Sequence, residues 1–302
     1  MLIGAVLLFS IQFVFSKCYQ REKGSSFFYS MLFSVITGAV SIPYFLILNG
    51  SRLEMTPFSL FLAVLYSIDA LACTVFGVKT LERANLSVYS LFMMLGGMLL
   101  PFLYGFTLGE EMTLIKGVAM LLVLLSMAFT LKKEDGKKTD LFLVLCYGVI
   151  FVTNGLTGVM TFMHQRATVA VVSASGFLLL SNIVKTVLAL AVVAGIFIAA
   201  KVRGKDAMLV HGAAEGKRKP SPIKSWVVAV GCAVGFAFVN GTGSLLSTLT
   251  ASYIEAGIQS TIGTGGCLLM SALFGLLFGE RITKKTVFTL ACALTGTVLI
   301  ML

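Results

Sequence analysis

A chain of 302 residues in which 58% of positions are hydrophobic and only 12% charged has too little polar surface to coat a water-soluble globule of its size. Soluble domains with one or two cores are thereby excluded. The net charge of +10 does not point to nucleic acid either, because the basic residues sit between apolar runs rather than along one helix face or among interleaved aromatics.

The apolar runs repeatedly approach the roughly 20 residues that cross about 30 Å of hydrocarbon. The opening MLIGAVLLFSIQFVF has no basic n-region and no small-residue cleavage pattern, so it is read as a first span rather than a leader. Spans are predicted at 2–16, 27–48, 57–78, 85–106, 112–131, 141–163, 169–200, 225–246, 252–278 and 286–302. The short first and last runs require little tilt, or snorkelling by Lys17 and by Lys284 and Lys285. One sizeable hydrophilic stretch, 201–224, is rich in Lys, Gly, Pro and Ser, which predicts a flexible loop too short to be an enzyme domain. Six cysteines are scattered singly without CxxC spacing and read as packing thiols.

The chain also repeats. A shift of 170 lays GGMLLPFLYGFTLGEEMT on GCLLMSALFGLLFGERIT, with identities at Gly96/Gly266, Leu99/Leu269, Leu103/Leu273, Gly105/Gly275, Gly109/Gly279, Glu110/Glu280 and Thr113/Thr283. A shift of 145 lays Gln20 and Arg21 on Gln165 and Arg166. The two shifts differ by about the length of the 201–224 loop, so the second copy reads as the first with that loop inserted. The copies are 1–132 and 140–302. Five spans per copy is an odd number, so the second copy enters the membrane from the opposite side. The expectation is an all-α integral membrane protein of ten transmembrane helices in two inverted five-helix repeats. That geometry lets secondary transporters hold a solute site near the midplane.

The hairpins LYGFTLGEEMTLIKGVAMLLVLLSMAF and LFGLLFGERITKKTVFTLACALTGTVLI, in a chain of this length and span number, resemble the EamA-type members of the drug/metabolite transporter superfamily. The likeness runs over nearly the whole chain, with the Gly-Glu turns as its motif-like part. It implies a carrier that moves amino acids, metabolites, nucleotide sugars or drugs through a cavity between the halves, often by proton coupling or exchange. The chain departs from the family pattern in spans four and nine. Gly96 and Gly97 precede Pro101 by about a turn, and Gly265 and Gly266 have no proline near them.

Of 23 Lys and Arg residues, 19 fall in the odd-numbered loops. The positive-inside rule makes those loops, including 201–224, cytoplasmic and puts both termini outside, in the cell membrane. The resemblance implies the reverse orientation.

Ionisable groups at membrane depth are costly and therefore functional candidates. Asp69 lies near the middle of span three, and the repeat shift brings its counterpart within one residue of Asn240 in span eight. The pair is expected to line a central cavity with Asp69 as proton acceptor or cation partner, or else Asp69 is a protonated packing group. Lys185, inside span seven, is read either as a cavity cation or as a structural ion-pair or snorkelling residue. Glu255 and Gln259 are four apart and share a helix face. Gln12 and Asn154 are amides at corresponding depths, suited to cavity lining or interhelical bonding alike. Tyr44 and Tyr89 read as packing.

Gly109, Glu110, Gly279 and Glu280 are read as paired turns whose acids favour the next helix N-terminus. Gly105 to Gly109 and Gly275 to Gly279 each form GxxxG, which permits close packing within the chain or in a homodimer. No GxSxG, HExxH, phosphate-binding loop or paired His ligands occur, so no enzyme, metal or cofactor is expected. The expected partners are a small-molecule solute and membrane lipid. A lipid or lipid-linked-carrier flippase of the same architecture is the alternative.

Overall fold

The computed structural model describes residues 1–84, 86–109, 113–131, 141–202, 222–277 and 284–300. These form the helices α1 (Leu2–Lys23), α2 (Phe27–Leu48), α3 (Pro57–Arg83), α4 (Leu86–Thr107), α5 (Leu114–Leu131), α6 (Leu141–Gln165), α7 (Ala174–Val202), α8 (Pro222–Ala251), α9 (Ala256–Leu277) and α10 (Lys284–Ile300), with no strand among the described residues.

Local chemistry sets the boundaries. Gly24 takes φ 82 and donates its N–H to the Gln20 carbonyl, which closes α1. The Ser26 hydroxyl caps α2 by accepting from Tyr29 N–H, and Ser173 does the same for α7 through Gly176 N–H. Thr56 accepts from Ser59 N–H, with Pro57 at the first position of α3. Seven helices are long and apolar enough to cross a bilayer: α1, α2, α3, α4 from Val88, α6, α7 to Ala199 and α8 from Ile223.

The polarity of the bundle is that of a protein solvated by hydrocarbon. Along helix faces Ile3 is 74% exposed, Phe61 60%, Val187 58% and Val227 67%. Meanwhile Ser10, Gln12, Ser34, Ser67, Ser181 and Thr264 are buried. Hydroxyls inside pay for themselves by bonding back to their own helix: Ser10 donates to Val6 O at 2.7 Å and Ser181 to Phe177 O at 2.8 Å. Apolar exposure on this scale is stable only where lipid, not water, covers it.

Packing interleaves the two halves of the chain. α1 lies on α8 and α9, α6 on α3 and α4, α2 on α7, α4 on α9, and α5 on α10. The principal apolar core joins Phe13 of α1, Phe92 and Leu95 of α4, Ile150 of α6, Leu268 of α9 and Ala293 of α10.

Several boundaries differ from the sequence expectation, and two of them carry a clear physical reason. Helix α1 runs on past 16 to Lys23, and Lys17 is buried rather than snorkelling. Its ammonium donates to Leu81 O at 2.6 Å and Ala84 O at 3.4 Å, the orphan carbonyls at the C-terminus of α3. At the opposite end Arg166 donates to Ala251 O, at the C-terminus of α8, at 3.4 Å and to Ile254 O just beyond it at 2.9 Å. A cation there satisfies carbonyls and opposes the negative end of the helix dipole. Helix α7 begins at Ala174 rather than 169, because Ser173 caps it after an irregular stretch. Lys17→Met is expected to cost about 1–2 kcal/mol, from the cation and the carbonyls it leaves unbonded. A melting temperature equal to that of the wild type in the same detergent would refute the capping role.

Candidate functional site

A cavity of about 270 Å³ lies between the halves, with walls from α1, α2, α3, α4, α6, α7, α8 and α9. Among the described residues, none from α5 or α10 lines it. One wall, from α1 and α8, holds Gln12 and Asn240, whose amide Nδ2 donates to Gln12 Oε1. Helix α6 presents Thr157 to the same cavity, and its hydroxyl donates to Asp69 Oδ2 at 2.8 Å. Asp69 itself is not among the lining residues. It stands behind the wall on α3, one hydrogen bond from the cavity, while Tyr66, Ala70 and Cys73 of the same helix face inward.

Asn154 lines the cavity and donates from Nδ2 to the Met93 carbonyl at 2.7 Å, tying α6 to α4. Gln259 lines it as well, 5% exposed, with Nε2 donating to Ser247 O at 2.7 Å and to Ser247 Oγ at 3.0 Å. Its Oε1 is buried without a hydrogen-bond partner. Lys185 of α7 lines the cavity beside Asn182, one turn earlier on the same face. Glu255 is exposed at the start of α9, outside the cavity, and its carbonyl accepts from Gln259 N–H. Sharing a face with Gln259 does not bring its carboxylate in, because the helix begins only at Ala256.

Gly109 takes φ 90 and meets nothing within 4 Å of where a Cβ would stand, so it serves a turn and not the close packing that its GxxxG spacing suggested. The close approach belongs to Gly96, whose Cβ would strike the Phe151 carbonyl oxygen of α6. Glu110, Gly279 and Glu280 lie outside the described residues.

Sequence reasoning missed Thr157 and paired Gln12 with Asn154 by depth. A strict shift of 145 from Gln12 lands on Thr157, so the signal was present. Tyr44, read from the sequence as packing, also makes a polar contact, its hydroxyl bonding Thr242 at 2.8 Å and joining α2 to α8. Chemically, the cavity offers amides and hydroxyls, an apolar floor of phenylalanines including Phe9 and Phe45, one ammonium, and a carboxyl group behind a hydroxyl.

No family model matches the chain, and no curated protein does. A crystal structure of a protein 17% identical to it superposes with a TM-score of 0.56, covering 99% of this chain and 98% of the other. At that identity the likeness is one of fold alone.

Proposed function

We propose that the chain is a secondary carrier of a small organic solute, an EamA-type member of the drug/metabolite transporter superfamily. In this reading ten helices cross the membrane as two inverted repeats, 1–132 and 140–302, and solute occupies the cavity between them, with proton coupling or exchange driving its passage. The observation that carries the reading is the recurrence of one hydrogen-bonded pair at repeat-related positions beside the cavity: Thr157 to Asp69, and Asn240 to Gln12. Gln12 and Thr157 are 145 apart, and Asp69 and Asn240 are 171 apart.

Other contacts recur at the same offsets. Gly96 meets Phe151 and Gly266 meets Val6, pairs related by 170 and 145. Leu81 and Ala84 accept from Lys17, and Ala251 and Ile254, each 170 further on, accept from Arg166. Thr264 donates to the carbonyl of its own counterpart Met94 at 3.0 Å, where α4 crosses α9. Exchanging each helix for the one five places on turns the α1–α8 packing into α6–α3 and the α4–α6 packing into α9–α1, while α2–α7, α4–α9 and α5–α10 map onto themselves. A bundle of this symmetry has two equivalent ways to open, one toward each side, which is what alternating access requires.

Orientation in the cell membrane follows from charge. Lys17 on the α3 terminus, Lys23 over the Trp226 ring at 3.6 Å and Arg83 over the Phe142 ring at 5.0 Å gather at one end of the bundle. That end is cytoplasmic by the positive-inside rule. Labelling of a cysteine tag in the 201–224 loop from outside intact cells would overturn this.

The function itself is tested with purified protein. Amino acids, nucleosides, sugars and cationic drugs are screened for a rise in melting temperature, since a ligand of the folded state stabilises it by mass action. Compounds that bind are then offered to proteoliposomes preloaded with the same compound. Accelerated counterflow is the expected result. Scrambling of labelled lipid without counterflow of any ligand would replace the carrier with a flippase.

A further inference from the structure

We infer that the solute is a small organic monocarboxylate whose carboxylate is bound by the ammonium of Lys185. The inference rests on the carrier reading for its purpose but on the cavity alone for its chemistry. Among the residues that line the cavity, Lys185 is the one with a formal charge. Among the described residues it has no hydrogen-bond or ion-pair partner. Asp69 accepts at Oδ2 from Thr157 and does not line the cavity.

Lys185 cannot reach an interface. It lies about 16 Å along the axis from the start of α7 at Ala174 and still further from Val202, at 1.5 Å per residue, well beyond the span of its side chain. An ammonium held at that depth and facing the cavity recovers its desolvation cost when a counter-charge binds beside it.

The charge of the ligand follows from the same inventory. One ammonium neutralises one negative charge, and a phosphate ester would bring close to two into a chamber that lacks a second cation. The lining holds no arginine, whose planar fork suits phosphate, whereas a lysine serves a carboxylate as a point charge. Asn182, on the same face of α7, adds a polar group beside the ammonium. Phe9 and Phe45 also line the cavity and suit an apolar body, and Gln12 suits a polar substituent. A volume of about 270 Å³ limits that body to a small metabolite. The carboxylate of an amino acid and that of a simple organic acid meet the same ammonium.

The test uses the full-length chain in detergent and sets of probes that share a carbon body but differ in head group: carboxylate, carboxamide, amine, phosphate ester and α-amino acid, each on an isobutyl, a phenyl and a hydroxyethyl body. Carboxylates are expected to raise the melting temperature where carboxamides and amines of the same body do not. The phosphate esters are expected to bind more weakly than the carboxylates. Comparison of the α-amino acid with the plain carboxylate tells which source the site prefers.

Lys185→Met should weaken carboxylate binding by about tenfold or more, as loss of one partner of a buried charge pair does, and leave any carboxamide binding unchanged. Lys185→Arg should retain carboxylate binding in part. If the Met variant does not elute as a folded species, the head-group comparison on the wild type decides alone. The inference is overturned if no carboxylate stabilises the protein, if carboxamides or phosphate esters match carboxylates, or if folded Lys185→Met binds carboxylates as the wild type does. Carboxylate binding without counterflow would sink the carrier and leave this site standing. Counterflow of neutral solutes with no carboxylate preference would do the reverse.

Discussion

Asp69→Asn in proteoliposomes is expected to abolish accumulation driven by a pH gradient while leaving counterflow down a solute gradient. A gradient of one pH unit is worth about 1.4 kcal/mol per proton, so one-to-one coupling accumulates solute about tenfold in the wild type. The variant should settle at equal concentrations on both sides. Asn retains an oxygen that can accept from Thr157, so the α3–α6 bond at 2.8 Å survives and the loss reports the proton site rather than the packing. Asp69 suits this task because Thr157 connects it to the cavity without exposing it there. A monoanion moved with one proton carries no net charge, so accumulation in the wild type should follow the pH gradient and ignore membrane potential. Undiminished pH-driven accumulation by the variant would remove Asp69 from the coupling step.

Much of this architecture was readable before any coordinates, for a simple reason: in a bilayer, length and apolarity set the helices almost unaided. The sequence repeat is legible where glycine and acid recur. Of those glycines, Gly96 is pressed against Phe151 of α6 and Gly266 against Val6 of α1. The site was less legible. Lys185, Gln12, Asn154, Asn240 and Gln259 were chosen as polar groups at depth, and all five line the cavity.

Glu255 was drawn in by its spacing from Gln259, but helix spacing carries no meaning one residue before the helix starts. Thr157 was passed over because threonine is common in apolar helices, where its hydroxyl bonds back to its own turn, so residue type alone gives no warning. Lys17 was assigned to the surface because hydropathy cannot see the C-terminus of another helix arriving beside it. Gly109 misled in the other direction. Its spacing from Gly105 matches a packing motif, while its positive φ shows that the backbone conformation is what requires glycine.

Gly96→Ala is expected to be the most damaging small substitution in the membrane core. A Cβ there would overlap the Phe151 carbonyl oxygen and stand 2.6 Å from its carbon and 2.8 Å from its Cα, all of them backbone atoms. Rotamer changes cannot relieve such a clash, so α4 and α6 must part, at a cost near the upper end of overpacking penalties, about 3 kcal/mol. The separation also strains the bond from Asn154 to Met93 O on the cavity wall, and counterflow should fall along with the melting temperature. Gly266→Ala occupies the equivalent crossing, but its obstacle is the side chain of Val6. Val6→Ala should therefore restore much of the stability lost in Gly266→Ala, whereas Phe151→Ala should do nothing for Gly96→Ala, because the atoms in the way remain. Rescue of both, or of neither, would mean that the two crossings are not packed as described.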